Sequence, residues 1–92
     1  MVKLIVDEDN FGPNSQLLPQ PIRIALWSFV QRMVENPDDP DLGWAENDGY
    51  RASQFTSGWA LYWEVVRKKP GILFSLRSGA PLAIKLWNVR EL

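Results

Sequence analysis

Residues 50–66 read YRASQFTSGWALYWEVV, and this stretch decides the fold because the hydrophobic period of the chain changes here. Tyr50–Phe55 is followed by the turn-forming sequence Thr-Ser-Gly, so it predicts one short strand. Residues 59–66 then alternate between two faces, as the residues of a strand do. One of these faces would carry Trp59, Leu61, Trp63 and Val65.

A helix competes with a strand over residues 59–66. The residues that would share a helical face are Trp59, Tyr62, Trp63 and Val66. Gly58 before the segment and Pro70-Gly71 after it would bound either element. We predict the strand because aromatic and β-branched residues dominate the segment.

The segment that precedes this region has helical spacing. Its apolar residues are Ile22, Leu26, Phe29, Val30, Met33 and Val34. Pro21 suits the first position of a helix, and Pro37 disfavours helical geometry at Asn36, so we predict a helix between these prolines. Ile24 and Trp27 lie on its other side, where they predict an apolar patch that contacts a partner.

The remaining elements complete an α+β protein. Val2–Val6 predicts a strand, and residues 7–20 predict a loop with one helical turn at 15–18. Residues 72–76 and 82–89 predict a hairpin with its turn at 77–80. We therefore predict one domain over residues 1–92, in which an N-terminal strand and a helical region pack on a C-terminal antiparallel β-sheet meander.

Composition excludes several kinds of chemistry. The chain has no Cys and no His, which excludes disulfides, Ser–His or Cys–His dyads and an ordinary zinc site. The acidic clusters lack the ligand spacing of an EF-hand, and there is no glycine-rich phosphate loop, so we predict no metal and no cofactor. No apolar run approaches the ~18 residues of a membrane span, and no signal peptide is recognisable, so we expect a cytoplasmic protein.

The net charge of −1 conceals a polarity between the two halves of the chain. Residues 1–49 contain three basic and nine acidic residues, whereas residues 50–92 contain seven basic and two acidic residues. The halves therefore carry net charges of −6 and +5. The basic half would attract an acidic partner. Alternatively, the two halves pair with each other across the fold.

Several short motifs occur together in a recognisable order: LPQPIRIAL at 18–26, VENP at 34–37 and LG at 42–43. They resemble the second helix and exit turn of the RelE/ParE superfamily of bacterial toxins. GYR at 49–51 and SGWALYWEV at 57–65 stand where that family has a short strand with a basic residue and a "G-D-Y/W-R-V-x-Y" strand. The resemblance covers roughly residues 16–66. It implies a helical layer on a twisted antiparallel sheet, an antitoxin partner that wraps the sheet, and action on ribosome-bound mRNA or on DNA gyrase.

The resemblance also suggests catalytic residues for a metal-independent endoribonuclease. It places Arg51 at the basic position of the first strand after the helix, and it loosely matches Lys85 and Arg90 to basic positions near the C-terminus. Arg77, in the predicted hairpin turn, would clamp a phosphate. Without His, such a site would depend on charge placement. Five residues of separation would put Lys85 and Arg90 on opposite faces of a regular strand, and each cation is alternatively a solvated surface charge.

Other residues predict contacts with nucleic acid. Arg67, Lys68 and Lys69 form a basic turn that would contact phosphates, or that simply protects a sheet edge. Tyr62 would stack on a base, although the aromatic residues of a small domain also serve its core. Glu64 would act as a base or as the partner of a cation.

Two functions follow from these observations. The first is a RelE/ParE-like toxin that binds an antitoxin and interferes with translation or another nucleic-acid process. The second is a non-catalytic protein-binding module on the same scaffold, because Ala60 and Glu64 stand where the family has an arginine and a further basic residue.

Overall fold

A computed structural model describes residues 2–67 and 81–92 of the chain. Its elements are β1 (Lys3–Val6), α1 (Phe11–Gln16), α2 (Gln20–Glu35), a 3-10 turn (Pro40–Leu42), β2 (Ala45–Asn47), β3 (Tyr50–Thr56), β4 (Trp59–Arg67) and β5 (Pro81–Glu91). The predicted strand at 72–76 and turn at 77–80 lie outside the described residues, as do Lys68, Lys69 and Arg77.

The strands form one mixed sheet in the order β1-β5-β4-β3-β2. Strands β2 to β5 form an antiparallel meander, and β1 pairs with β5 in parallel. The predicted α+β class, with helices packed on a sheet, is confirmed. The parallel pairing of β1 was not predicted; it arises because β5, at the end of the meander, returns beside β1 in the same direction.

Residues 59–66 form a strand and not a helix, as predicted. Leu61 and Trp63 are completely buried, and Trp59 and Val65 pack against the same core from partly buried positions. This alternation is the reason for the strand: a helix would have placed Leu61 and Trp63 on different sides. β4 is also hydrogen-bonded to a strand on each side, so its backbone groups are paired.

The predicted long helix is confirmed as α2. The helix buries Leu26, Phe29, Val30 and Met33. Asn36 ends it in an extended conformation, as expected of a residue before proline.

The segment before α2 corrects the sequence-based prediction. The expected loop with a turn at 15–18 contains a short helix, α1, which begins at Phe11. Phe11 is only 1% exposed, and its burial in the core outweighs the weak helical propensity of the Gly-Pro sequence that follows it. Pro13 lies in the first turn, where a missing backbone N–H costs no helical hydrogen bond.

One hydrophobic core joins the helices to one face of the sheet. Its sheet residues are Leu61, Trp63, Ile84, Leu86 and Val89, and Phe11 and the buried residues of α2 belong to the same cluster. The helices of the described residues thus pack on one side of the sheet. The opposite side, here called the open face, carries the candidate site. No helix in the described part of the chain is long and apolar enough to cross a membrane.

Candidate functional site

A β-bulge in β5 brings the two C-terminal cations to the same face of the sheet. Tyr62 pairs with Asn88, but the next residue, Trp63, pairs with Leu86, so β5 contains one extra residue here. Lys85 therefore lies opposite Glu64, and Arg90 lies opposite Ala60. Positions 60 and 64 of a regular strand share a face. The prediction that Lys85 and Arg90 lie on opposite faces was wrong because it assumed a strand without a bulge.

The open face contains a pocket of about 320 Å³. Its lining residues are Asn10, Asn47, Tyr50, Ala52, Tyr62, Trp87 and Asn88. The rings of Tyr50 and Trp87 meet nearly at right angles, with 5.4 Å between their centroids and 83° between their planes. Ala52 pairs with Tyr62 across the strands, and its small side chain leaves space between the larger ones.

An Asp-Gly turn positions one side of this pocket. Asp48 and Gly49 connect β2 to β3 with φ angles of 52° and 85°, the left-handed values that a tight two-residue hairpin turn requires. The turn pairs Asn47 directly with Tyr50. The Asp-Gly dipeptide is a strong hairpin signal, so this turn could have been predicted from the sequence, although β2 was not among the predicted elements.

Two neighbouring side chains hold Trp87 in place. Its indole Nε1 donates a hydrogen bond to Glu64 Oε1 at 3.1 Å. Lys85 Nζ lies 3.7 Å from the centroid of the Trp87 ring, a cation–π contact. Glu64 was predicted to act as a base or as the partner of a cation. Its hydrogen-bond partner here is the indole, and Lys85 is its neighbour on the adjacent strand.

Three asparagine side chains line the pocket and supply polar groups in addition to the phenols of Tyr50 and Tyr62. Asn88 Oδ1 accepts hydrogen bonds from Asn14 Nδ2 at 2.7 Å and from the backbone N–H of Val89 at 2.9 Å. The Asn88 amide NH₂ is therefore the group left for a ligand. Asn10, Asn47 and Asn88 come from three separate segments, so their local spacing could not have revealed them.

Arg51 lies on the core side of the sheet, away from the open face. It is 8% exposed and pairs across the strands with the buried Trp63. Its guanidinium carbon is 4.1 Å from the Trp44 ring centroid and 5.0 Å from that of Trp63. Nη1 donates to the backbone oxygen of Pro37 at 2.7 Å. The structure thus separates Arg51 from Lys85 and Arg90 and gives it a structural role.

Asp38 connects Arg51 to Arg67. Arg51 Nη2 lies 3.0 Å from Asp38 Oδ1, and Arg67 reaches both carboxylate oxygens, at 2.7 and 3.2 Å. The two hydrogen bonds from Arg67, and then the one from Arg51, lower the pKa of Asp38; in return Asp38 raises the pKa of Arg67. The acidic and basic halves of the chain therefore pair at this point, and the charge of Arg67, a predicted phosphate contact, is already partnered.

Replacing Asp38 by asparagine is expected to lower the free energy of unfolding at neutral pH, by less than about 1 kcal/mol because the carboxylate is partly exposed. The folded-state pKa lies below the ordinary value of 3.8. The stabilisation is therefore present above that value and is lost as the pH falls through the folded-state pKa. Urea unfolding should show a difference between the two proteins at neutral pH that disappears in strong acid.

Asp41→Asn is the matched control, since within the described residues the Asp41 carboxylate makes no ion pair. A difference between wild type and Asp38→Asn that persists unchanged in strong acid would contradict the assigned ion pairs.

A second exposed surface lies on α2, on the other side of the molecule. Ile24 and Trp27 are 60% and 41% exposed, in agreement with their predicted position on the outer side of the helix. They border a shallow depression of about 550 Å³. Arg23 lies beside them, and its Nη2 donates to the backbone oxygens of Gln16 and Leu18 at 2.8 and 3.3 Å.

Among the described residues, no three His, Cys, Asp or Glu side chains are grouped as a metal site requires. No protein-family model, curated protein or solved structure matches this chain. The class that the fold and the site define is therefore an α+β protein with an aromatic, amide-lined pocket on the open face of a mixed sheet.

Proposed function

We propose that the chain is a RelE/ParE-like toxin-type protein that interferes with translation by binding RNA on the open face of its sheet, under the control of an antitoxin. One observation carries the proposal: the bulge in β5 places Lys85 and Arg90 on the same face as the pocket formed by Tyr50, Tyr62 and Trp87. Cations that neutralise phosphates beside aromatic rings that stack on bases are what single-stranded RNA binding requires.

The order of the elements supports the toxin-type class. The motif string at 18–43 falls on α2 and the turn that follows it, and GYR and SGWALYWEV fall on β3 and β4. These are the positions that the resemblance implies for them. The chain also has the order of elements expected from the resemblance, namely a strand, a helical layer and then a meander.

The open face also holds groups for metal-independent RNA cleavage. In that reaction the ribose 2′-hydroxyl attacks the adjacent phosphorus and the bond to the 5′-oxygen breaks. Glu64 would accept the proton of the 2′-hydroxyl, and Tyr62 would supply a proton to the leaving oxygen. Lys85 would stabilise the charge that develops on the phosphate.

The alternative is a non-catalytic protein-binding module. Two observations favour it: Arg51 is buried as a structural residue, and Ile24 and Trp27 are exposed together on α2. RNA affinity separates the alternatives. If phosphate contacts dominate, affinity falls steeply with salt, and each contact removed lowers the log–log slope by about 0.7 on a single strand.

Induced expression in bacteria tests the proposal. Wild type is expected to arrest growth and to shorten mRNA, whereas the double variant Lys85→Ala, Arg90→Ala is expected to do neither. On purified protein the same double variant should lower the salt slope of RNA binding by about 1.4.

Arg32→Ala is the matched control. It removes one exposed cation from the last turn of α2, away from the open face, and should arrest growth like wild type. Normal growth with intact mRNA after induction of folded wild type would overturn the proposal. So would growth arrest by the double variant, because toxicity would then lie elsewhere on the molecule.

A further inference from the structure

The pocket on the open face is lined by uncharged residues, and Lys85 lies beside it, with its Nζ 3.7 Å from the centroid of the Trp87 ring. Tyr50, Tyr62 and Trp87 supply rings, and the polar groups between them are carboxamides and phenols. Lys85 and Arg90 lie on the same face outside the lining. Such a division suits a ligand with a flat neutral part and a separate anionic part, as in a nucleotide.

The size of the pocket limits the neutral part to a small ring system. Its volume of about 320 Å³ is at the lower end of the range found for ligand sites, ≈300–1,000 Å³. The perpendicular rings of Tyr50 and Trp87 provide two different contacts to one flat ligand. A heteroaromatic ring stacked on one of them presents its edge to the face of the other, and both are favoured aromatic geometries.

The carboxamides supply the hydrogen-bonding groups that would contact the edge of the ring. Within residues 2–67 and 81–92, the side chain of Asn47 makes no hydrogen bond, and Asn88 keeps its NH₂ group as a donor. The side chain of Asn10 is a hydrogen-bond partner of Asp7. An asparagine carboxamide presents a donor and an acceptor side by side. This pair matches the N6 donor and N7 acceptor of adenine.

We propose that this pocket binds the adenine base of a nucleotide, which stacks on one of the rings of Tyr50 and Trp87, contacts the other edge to face and receives a carboxamide contact from Asn47. This inference rests on the proposed function, because both place the ligand on the open face of the sheet. It names the base that the face selects. Free adenine nucleotide and adenosine within an RNA strand share this chemistry, so the test includes both.

Calorimetric titration of the purified protein with AMP, CMP and UMP, and with short single-stranded oligoadenylate and oligocytidylate, tests the proposal. As a mononucleotide, as an oligonucleotide or as both, the adenine compound is expected to bind about tenfold more tightly than the pyrimidine compounds. Preference with AMP and oligoadenylate identifies a base pocket open to both sources. Preference with AMP alone identifies a free nucleotide, and preference with oligoadenylate alone identifies a base held in a strand.

Two exposed pocket residues provide the variants. Asn47→Ala should remove the preference for adenine and lower its affinity about tenfold, whereas Tyr50→Ala should weaken all bases alike. Gln31→Ala, which removes an exposed carboxamide from α2, should bind as wild type does. Circular dichroism of each variant establishes that it is folded.

Three outcomes would overturn the inference. They are equal affinity for all bases, no binding of either mononucleotides or oligonucleotides, and an adenine preference that survives Asn47→Ala in a folded protein. These outcomes are separate from those of the toxicity test. Growth arrest without an adenine preference would refute the base pocket alone, and an adenine preference without growth arrest would refute the toxin function alone.

Discussion

Replacing Trp63 by alanine is expected to lower the free energy of unfolding by about 3–5 kcal/mol, the cost of removing a large buried aromatic side chain. Trp63 is completely buried in the core beneath the open face. Its indole Nε1 donates to Ser53 Oγ at 2.9 Å, and its ring meets that of Trp44 edge to face with 5.9 Å between centroids. Loss of the indole leaves a cavity and removes the hydrogen-bond donor to the buried hydroxyl of Ser53. It also removes one of the two rings against which the Arg51 guanidinium packs.

For a domain of this size each kcal/mol corresponds to a fall of roughly 4–8 °C in Tm. Thermal and urea unfolding should therefore place the variant well below wild type or unfold it outright. Trp63→Phe keeps most of the buried area and should lose less. Trp27→Ala removes the same residue type from an exposed position on α2 and should also lose less. A Trp63→Ala protein as stable as Trp27→Ala would contradict the packing described for the core.

Replacing Arg51 by alanine is expected to lower the free energy of unfolding by about 3 kcal/mol through lost hydrogen bonds and cation–π contacts. The guanidinium joins the turn after α2 to the sheet, because it lies against Trp44 and Trp63 and donates to Pro37 and Asp38. Arg51→Lys keeps the charge but not the flat, forked group, and should recover only part of the loss.

This experiment also separates structure from catalysis. If Arg51 has only the structural role, any loss of activity should follow the fraction of unfolded protein, and Arg32→Ala should change neither quantity. Lys85→Ala should lose activity while its unfolding curve stays close to that of wild type. An Arg51→Ala protein that is as stable as wild type yet inactive would contradict the structural role and restore Arg51 to the catalytic group.

The parts of the fold that were predicted correctly are those with a strong local period. The spacing of Leu26, Phe29, Val30 and Met33 is sufficient for α2, because a helix brings such residues to one side regardless of what they pack against. The alternation from Trp59 to Val65 likewise predicted β4. Phe11 shows the limit of this approach, since tertiary burial outweighed the weak propensity of its segment.

The candidate site was predicted less completely, for a different reason. Tyr62, Lys85 and Arg90 were selected as residue types, but nothing local indicated that they share a face. The bulge at Trp87 depends on how β5 pairs with β4, which is a contact between distant residues. Arg51 has the same sequence environment whether it is solvated or buried, and only the approach of Trp44, Pro37 and Asp38 decides between the two.

The sequence by itself therefore determined the class of the protein, because hydrophobic periods of 3.6 and 2 residues are properties of each segment alone. It also determined which chemistry is excluded, since no fold can supply a missing His or Cys. Only the tertiary structure decided which charges pair, which cations lie together and where a pocket opens. Those outcomes depend on strand register and on contacts between distant segments, and a one-residue bulge is sufficient to change them.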